Sequence, residues 1–535
     1  MNHYNRTCLT EASRLNCYQP DDKLDNILER SAADRQMVPN LIHKLSQTLK
    51  QEEINYCCWK SYSVALNRSV NGDGDLDLLI SRADMARFTE ILCRLGFKQA
   101  QAATEKQLPG VLDYFGYDEA TDRLIHIHAH FQLIVGRDLT KNYRLLIERP
   151  FLESAIQGSL FKVPSIEFEF ILFVIRRVLK HSTWETILCG EGTLKSIKRQ
   201  ELSYLEGRVD KHRVDDILKK HLPYIGVALF KECIQALQPA CSVWKRARTG
   251  QRLQSKLQVN FQLPTPIDVW LKLWRLAVLA IRRRIFKTSF QYQPAGGGAM
   301  IAIVGGDGAG KSTAVDGLRA WLSKDFKTTR IHLGKPRWSW ITITIRGILK
   351  IGNFVGLYPV DSSFRETLVQ KSLVSPGYPW LLREICRARD RYRTYVNARS
   401  IAANGGIVFL DRFPLSEIKI MDGSQAERFI TQLMAGPEGR RLMSPNLASP
   451  LARALIRKEE SYYQRTALPE LLVVLRLDPE IAVQRKTDEN ASSVRERSTE
   501  IWEVDWEHTD AHIIDASKSK TDVLTELKRL VWSVI

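Results

Sequence analysis

The sequence lacks the features of secreted and membrane-spanning proteins. Its N-terminus has neither the basic start nor the apolar core of a secretion signal. No uninterrupted apolar run approaches the roughly 18 residues that a spanning helix needs, and the two longest candidates, 269–287 and 338–358, are both interrupted by Lys or Arg. The nine cysteines form no CxxC pair and show no spacing with histidines typical of a structural zinc site. These absences predict a cytoplasmic protein with reduced cysteines.

Acidic residues are also scarce relative to basic ones. Lys and Arg number 78, Asp and Glu number 60, and the formal net charge is +18 over 535 residues. Excess positive charge suits polyanionic partners such as nucleotides, nucleic acids or an anionic membrane, and does not choose among them. The sequence carries no strong nucleic-acid signal beyond this charge.

The chain is longer than one ordinary core requires, so we expect more than one domain. The stretch "FQYQPAGGGAM" (290–300) combines Pro and three glycines before a strand-like run, which is typical of a domain boundary. We predict an N-terminal domain with a helical extension over 1–240, a basic amphipathic linker over 241–298 and a C-terminal domain over 299–535. After residue 300, apolar strand-like runs alternate with helical patterns, which predicts an α/β fold with a parallel sheet covered on both faces.

The linker contains a Trp- and Arg-rich segment, 269–287, with the pattern of an amphipathic helix. It could make peripheral contact with an anionic membrane, with its indoles at the headgroups and Arg282, Arg283 and Arg284 on phosphates. Alternatively, it packs between the domains with its arginines in solvent. We favour the packed helix, because basic amphipathic helices are common.

The most specific motif is "GGDGAGKST" (305–313), which matches the pattern GxxxxGK[ST] in full between a predicted strand and a predicted helix. In such a loop the backbone amides surround a β-phosphate, and the helix N-terminus adds positive potential. We predict that Lys311 reaches the β- and γ-phosphates of ATP and that Ser312 holds Mg²⁺. The predicted ATP-binding residues are Gly305, Gly308, Gly310, Lys311, Ser312 and Thr313.

Asp307 places a negative charge inside this loop. At about 7 Å and an effective dielectric constant of about 20, each phosphate charge that faces it would cost about 2 kcal/mol. We therefore expect the carboxylate to point away from the phosphates, towards a second ligand or a metal. This orientation favours transfer of a phosphoryl group to a bound acceptor over simple nucleotide hydrolysis.

The C-terminal part resembles the thymidylate kinases over most of 299–535. "GGDGAGKST" is similar to the phosphate loop of that family. The segment 387–416, which contains "VFLDRF", resembles its helix and D-R-[YF] strand, 468–486 resembles its D-P-E-x-A helix, and 512–527 resembles its closing I-D-A-S strand. The four landmarks follow the order of the family. The resemblance implies a P-loop NTPase fold, an ATP- and Mg²⁺-dependent kinase activity, and a homodimer.

Several residue roles follow from the resemblance. Asp307 would contact the acceptor, and Asp411 would help Ser312 to organise Mg²⁺ or would contact the acceptor. Arg412 would bind the acceptor phosphate, and Arg391 is a further acceptor-site candidate. Positive charge at these positions would offset the charge that develops in the transition state.

Within the family, catalytic positive charge comes from the phosphate loop or from the lid. This loop has Gly308 and Ala309 where a basic residue would sit, so the lid, 485–497, is the expected source. Its basic residues are Arg485, Lys486, Arg495 and Arg497.

Two departures from the family concern the acceptor. The R-E-P-G stretch is missing, and "IHLGKPRWSW" (331–340) stands in its place. A long insertion, 421–450, follows the D-R-F motif. The predicted acceptor is therefore a nucleoside monophosphate or a related phosphorylated small molecule.

The N-terminal part contains "GDGDLDLLIS" (72–81), in which Asp75 and Asp77 are two residues apart. On a strand both carboxylates lie on one face and could share Mg²⁺ ions. The motif follows "CWKSYSVALNRS" (58–69) and precedes a predicted helix at 83–98. This order resembles the nucleotidyltransferase superfamily, particularly a bacterial branch with a DIDLL pattern, and implies an α+β domain.

That superfamily carries a third carboxylate on a later strand, and here the matching stretch, 123–133, has His126 at the acidic position. His126, His128 and His130 alternate, so a strand would present them on one face. They could complete a metal site with the aspartates, bind a transition metal by themselves, or be ordinary strand residues. We favour a non-metal or altered role, because imidazole replaces poorly a hard anionic Mg²⁺ ligand.

Three functions are consistent with the whole sequence. The leading hypothesis is an ATP- and Mg²⁺-dependent kinase. The second is a nucleotide-sensing or scaffolding protein with a degenerate nucleotidyltransferase-like domain. The third is a bifunctional enzyme whose N-terminal part transfers nucleotidyl groups.

Overall fold

The computed structural model describes most of the chain. The described residues are 38–60, 74–136, 140–182, 194–286, 291–355, 378–415, 417–418, 423–424 and 449–535. Nearly all of the insertion predicted at 421–450 lies outside them, as does Lys287 at the end of the amphipathic segment.

The described strands of the N-terminal half include five of the six strands in a mixed sheet. They are β1 (Tyr56–Cys58), β2 (Leu76–Ile80), β3 (Lys98–Gln101), β4 (Val111–Asp118) and β5 (Arg123–His130). Two hairpins follow, made of β6 (Leu133–Val135), β7 (Tyr143–Leu145), β8 (Ile156–Gln157) and β9 (Lys162–Val163). The sixth strand is β10 (Gln293–Pro294), and the sheet order is β1-β2-β5-β4-β3-β10. Only β2 and β5 pair in parallel, so the ends of these two strands lie side by side.

Helices cover this sheet and extend beyond it. Those described in the N-terminal half are α1 (Asn40–Gln51), α2 (Met85–Arg94), α3 (Glu148–Glu153), α4 (Ile166–His181), α5 (Ser196–Arg208), α6 (Lys211–His221), α7 (Gly226–Leu237) and α8 (Val243–Leu257). The apolar run after Ser165 forms α4, and the Ser165 hydroxyl caps this helix by accepting from the Phe168 N–H. Leu253 and Leu257 of α8 enter the same apolar core, so this polar-looking segment packs against the N-terminal half.

The C-terminal half contains the predicted parallel sheet. Its described strands are β11 (Met300–Gly305), β12 (Thr328–His332), β13 (Ile407–Asp411), β14 (Leu471–Arg476) and β15 (Ala511–Asp515), in the order β12-β13-β11-β14-β15. Every pair is parallel. Both β11 and β13 are buried along their whole length, as expected for strands covered on both faces.

Helices surround this sheet. After α9 (Thr265–Ile281), the described ones are α10 (Lys311–Leu322), α11 (Trp340–Phe354), α12 (Tyr378–Ala403), α13 (Pro450–Gln464), α14 (Pro479–Arg485), α15 (Ala491–Glu503) and α16 (Lys520–Val534). Because all strands are parallel, their carboxyl ends meet at one edge, and that edge carries Gly305, Asp411 and the start of α10.

The two halves share one apolar cluster. Phe115 of β4 contacts Tyr292 and Phe326, with ring centroids 5.1 Å and 4.8 Å apart. From α16, Lys528 Nζ donates to both carboxylate oxygens of Asp122 at 2.7 and 2.6 Å, and Trp532 also packs against this cluster. Burial of an aromatic side chain such as Phe115 contributes about 2–3 kcal/mol. The halves therefore meet through a packed core.

α9 has its charged face turned inward and its apolar face turned outward. Asp268 and Lys272 are buried and form an ion pair of 2.8 Å. Trp270, Leu273 and Trp274 are 64%, 62% and 45% exposed. The favoured expectation was a helix packed between the domains with its arginines in solvent; the apolar side chains are at the surface instead, whereas Arg284 is exposed as expected. Asp268 and Lys272 pair with each other on the buried side of α9, so its apolar side chains lie at the protein surface.

α11 shows a similar outward face. Trp340, Ile348 and Ile351 are exposed, while Thr342 on the opposite side is buried. None of the helices in the described part of the chain combines the length and the hydropathy needed to cross a bilayer.

Candidate functional site

The glycine-rich loop joins the central strand β11 to α10. β11 ends at Gly305, and α10 begins at Lys311. Gly308 and Gly310 have φ of +78° and +85°, a conformation that costs other residues roughly 1 kcal/mol or more. A Cβ on Gly310 would meet nothing within 4 Å. The glycines thus allow the backbone path, and the space in front of Gly310 is open.

The Lys311 side chain folds back into the loop. Its Nζ donates to the carbonyl oxygens of Gly305 at 2.9 Å and Gly306 at 2.7 Å, and the residue is buried. The ammonium group therefore lies inside the loop, beside the backbone that the motif predicts to surround phosphates.

Ser312 and Asp411 meet across the edge of the sheet. Ser312 Oγ donates to Asp411 Oδ2 at 3.0 Å, although 99 residues separate them in the chain. Arg330 on β12 donates to the same oxygen at 2.8 Å and to Asp316 at 2.6 Å. Asp411 is buried. The two predicted Mg²⁺ ligands are therefore adjacent, and a cation already balances the carboxylate.

Asp307 is buried and faces two arginines. Its Oδ2 lies 2.5 Å from Arg497 Nη1, and its Oδ1 lies 3.6 Å from Arg412 Nη2. Arg497 also contacts Glu489 at 2.8 Å, so two guanidinium groups and two carboxylates are in contact here. The loop, the strand-end D-R pair and the segment predicted as a lid thus converge at Asp307, although the prediction of a ligand or metal next to it stays a prediction.

The Arg412 backbone is unusual for a residue with a side chain. Its φ is +68°, in the left-handed region, which costs about 1–2 kcal/mol. Gly334 lies so close that a Cβ there would be 2.8 Å from Arg412 Cδ. Strain of this kind is held in place by the surrounding structure, and it is common where a side chain must be aimed at a site.

The other predicted arginines have separate partners. Arg485 donates to the Ala516 carbonyl at 3.0 Å. Arg495 is half-exposed and donates to both carboxylate oxygens of Glu480 at 2.7 and 2.8 Å. Arg391 is buried and donates to the Tyr463 hydroxyl at 3.1 Å. Of the three lid arginines proposed as catalytic, only Arg497 is placed against the loop carboxylate among the described contacts.

The residues at this edge fit a nucleotide with Mg²⁺. The loop presents backbone amides around open space at Gly310, and Lys311 supplies a cation. A serine hydroxyl and a carboxylate are oxygen ligands of the kind that Mg²⁺ prefers. Ser312 and Asp411 are 3.0 Å apart and could ligate one ion. Thr313 is exposed in the first turn of α10.

A second polar cluster lies on the sheet of the N-terminal half. His126 Nδ1 is 2.7 Å from Asp75 Oδ1, and its Nε2 is 3.2 Å from Asp113 Oδ1. His128 Nε2 is 3.5 Å from Asp75, and its Nδ1 is 3.5 Å from Asp113. We call these four residues the strand-face cluster. The predicted alternation of histidines on β5 is confirmed, and it brings His126 and His128 to the same carboxylates.

Asp77 and His130 form a neighbouring pair with a different balance of charge. His130 Nε2 lies 3.2 Å from Asp77 Oδ1, and the Lys60 ammonium contacts the same oxygen. His130 is buried beside the Trp59 ring. The Asp77 carboxylate therefore lies against a lysine ammonium.

Hydrogen bonds decide the pKa of His126, and burial decides that of His130. Burial by itself would lower the pKa of His126, but hydrogen bonds with Asp113 and Asp75 raise it to about 9. Burial lowers the pKa of His130 to about 3, although Asp77 opposes the shift. Without a bound cation, His126 is thus protonated and His130 neutral at pH 7.

Asp113, Lys60 and Arg330 are site residues that the sequence analysis missed. Asp113 lies on β4 directly opposite His128. The one sequence feature that could have indicated it is a lone carboxylate within the apolar run "VLDYF". Arg330 sits on a strand that pairs with β13, and no motif marked it. Asp113 reaches the site through the β4–β5 hairpin, and Arg330 through the pairing of β12 with β13, which lie far apart in the sequence.

Comparison with known proteins gives a distant match. No family model matches this chain. Two similar proteins, from Escherichia coli strains K12 and CFT073, both carry the name uncharacterized ATP-binding protein YghR. Each is 25% identical over 241 residues, which cover 43% of this chain and 86% of the relative. The similarity spans less than half of the chain and does not single out the thymidylate kinases among ATP-binding proteins.

Proposed function

We propose that the C-terminal half binds ATP with Mg²⁺ and transfers its γ-phosphoryl group to a nucleoside monophosphate or a related phosphorylated small molecule. The observation that carries this is the convergence of the loop, Asp411 and two arginines on one sheet edge. The distant similarity to a protein named as ATP-binding supports the nucleotide.

In this proposal, Lys311 and the loop amides bind the β- and γ-phosphates. Ser312 and Asp411 hold Mg²⁺, which would offset phosphate charge when bound. Asp307 does not face the phosphates but holds Arg497 and Arg412 at the edge of the loop. A positioned guanidinium stabilises the charge of the transferring group and binds an acceptor phosphate in bidentate fashion.

The bonds of the reaction balance without further reactants. An acceptor oxygen forms a bond to the γ-phosphorus, the bond to the β,γ-bridging oxygen breaks, and ADP leaves. A carboxylate acceptor oxygen or a phosphate oxygen needs no base, whereas a hydroxyl acceptor releases one proton. The arginines and Lys311 would gain contacts as the transferring group spreads its charge.

A panel of acceptors tests this proposal. ADP formation by the full chain is measured with ATP, Mg²⁺ and, in turn, nucleoside monophosphates and sugar phosphates. We expect at least one acceptor to stimulate ADP formation and to yield a phosphorylated product. Hydrolysis that requires Lys311 but that no acceptor stimulates would contradict phosphoryl transfer and leave a nucleotide hydrolase.

One observation favours a second candidate function, a nucleotide-sensing scaffold on an anionic membrane. α9 turns Trp270, Leu273 and Trp274 outward, and Arg284, just beyond its end, is exposed. Indoles prefer the membrane interface, and basic residues beside them suit anionic lipid headgroups. The occupant that we propose for this face is therefore an anionic lipid bilayer.

Vesicle binding separates this candidate from the first. The scaffold predicts sedimentation with phosphatidylserine-containing vesicles and not with phosphatidylcholine alone, together with ATP binding without turnover. Trp270→Ala combined with Leu273→Ala should abolish sedimentation. Trp244→Ala is the matched control, because Trp244 is 74% exposed outside α9. Rapid phosphorylation of an acceptor, or equal sedimentation of both variants, would contradict the scaffold.

A further inference from the structure

The strand-face cluster has the composition of a transition-metal site. Ligand atoms of Asp75, His126 and His128 all lie within 4.8 Å of one another. Asp113 Oδ1 contacts the other nitrogen of each ring, His126 Nε2 at 3.2 Å and His128 Nδ1 at 3.5 Å, so it would orient the imidazoles from behind. We propose that Asp75, His126 and His128 bind one divalent transition-metal ion of the zinc class, with Asp113 holding the two rings in place.

The backbone explains why the four residues of the strand-face cluster converge. His126 and His128 alternate on β5, so both rings leave the same face of the sheet. Asp113 is the Cα partner of His128 on the antiparallel neighbour β4. Asp75 immediately precedes β2, whose first residue pairs with the residue between the two histidines. Three strands thus supply the cluster, which makes the site rigid before any ion arrives.

The donor set selects the type of ion. With both rings in their neutral, metal-binding form, the carboxylates of Asp75 and Asp113 give the cluster a charge of −2, so one divalent cation would neutralise it. Zinc accepts nitrogen and oxygen ligands in a four-coordinate arrangement. Magnesium prefers oxygen ligands and retains several waters, so two histidines suit it poorly. The site therefore differs from the shared-carboxylate Mg²⁺ site that the nucleotidyltransferase resemblance implies.

The neighbouring group of Asp77, His128 and His130 also has metal-ligating geometry, but it is more enclosed. The side chains of Asp77 and His130 are only 14% and 1% exposed. The Asp75 side chain is 57% exposed, which gives an ion a route from solvent. These differences place the ion at the strand-face cluster.

The site lies where the two halves meet. The His126 ring stacks on Phe115 at 4.1 Å between centroids and contacts the Tyr292 ring at 5.1 Å. Phe115 in turn packs on Phe326, just after α10. A metal that fixes the His126 ring would therefore also stabilise the contact between the sheet and the C-terminal half.

Cobalt and zinc titrations test the site directly. Full-length protein without an affinity tag is stripped with a chelator and titrated with Co²⁺, followed by the visible d–d absorption of a four-coordinate ion. We expect one Co²⁺ per chain, displaced by one Zn²⁺ and not by Mg²⁺. Zinc should also raise the thermal unfolding midpoint, and chelator should reverse the shift.

Variants locate the ion. Asp75→Asn changes an exposed side chain and keeps the fold, and His128→Gln is the second variant; each should weaken zinc binding at least about tenfold. His512→Asn is the matched control, because His512 is an exposed histidine on β15 in the other half. It should bind zinc like the unchanged protein.

Three outcomes would overturn the proposal. They are the absence of the Co²⁺ absorption in the unchanged protein, zinc binding by Asp75→Asn equal to that of the unchanged protein, and loss of binding in Asp77→Asn alone. The last would move the ion to the neighbouring group. None of these readouts depends on phosphoryl transfer, so failure here leaves the proposed kinase function standing.

Discussion

The two polar clusters of this protein balance their carboxylates in opposite ways. At the edge of the C-terminal sheet, Asp307 and Asp411 face guanidinium groups, which stay protonated at any physiological pH. On the N-terminal sheet, Asp75 and Asp113 face imidazoles, which can lose a proton and accept a metal ion. The first cluster is therefore balanced by fixed cations, whereas the second can exchange a proton for another cation.

The largest expected effect is a loss of stability when the aromatic contact that joins the two halves at Phe115 is removed. Phe115 is fully buried between His126 and the C-terminal half. Phe115→Ala should lower the free energy of unfolding by about 3–5 kcal/mol, because it removes a buried aromatic ring and leaves a cavity. Denaturant unfolding followed by tryptophan fluorescence measures this.

Phe88→Ala is the control for the loss of stability expected in Phe115→Ala. Phe88 is equally buried, but it belongs to the core of the N-terminal half alone. Both variants should lose stability, and only Phe115→Ala should also reduce the protection of the C-terminal half against proteolysis. Equal protection in both variants would mean that the halves unfold independently.

Lys311→Ala should lower ATP turnover by about 10²–10³-fold, a range typical of removing one preorganised group that stabilises transition-state charge. Its ammonium lies inside the loop, held by two carbonyls. Lys324→Ala is the matched control, since Lys324 is exposed beyond the end of α10. Steady-state ADP formation is measured for both variants. Equal rates would show that the Lys311 side chain takes no part in ATP turnover.

The contact between Asp307 and Arg497 can be measured with a double-mutant cycle. Asp307→Asn and Arg497→Ala should each slow turnover, and the double variant should be no slower than the worse single one. Residues in one charged network typically show coupling of about 0.5–3 kcal/mol. Additive effects on kcat would show that Asp307 and Arg497 act separately.

The smallest effect is expected for Arg495→Ala. Arg495 is on the same helix as Arg497, but its guanidinium is paired with Glu480 at the surface. Surface pairs contribute little, so turnover should stay within about twofold of the unchanged protein. Arg497→Ala is the comparison, and a larger loss for Arg495→Ala would reverse the assignment between the two arginines.

Much of the C-terminal half could be predicted because its signals are local. The run before Gly305 predicts a buried strand, and the motif GxxxxGK[ST] predicts the turn and the helix at Lys311. The strand end at Asp411 follows from a short apolar run. The orientation of α9 was not predictable in the same way, because periodicity defines two faces and does not say which one meets the protein.

The site was only partly predictable. The alternation of His126 and His128 indicated a shared face, and the structure has it. Arg330 entered through the pairing of β12 with β13, which are far apart in sequence. Asp113 is on the β4–β5 hairpin, which lies beside Asp75 only because β2 pairs with β5. The neighbour of each strand depends on the order of strands in the sheet, and packing of the whole domain determines that order.

The sequence by itself determined the parallel sheet, the glycine-rich loop and the residues that line its turn, because these follow from local periodicity and backbone sterics. Only the tertiary structure decided that Asp307 faces arginines, that Asp75 and Asp113 share two histidines, and that the halves meet at Phe115. Those contacts join segments tens to hundreds of residues apart, and long-range packing and charge balance select them.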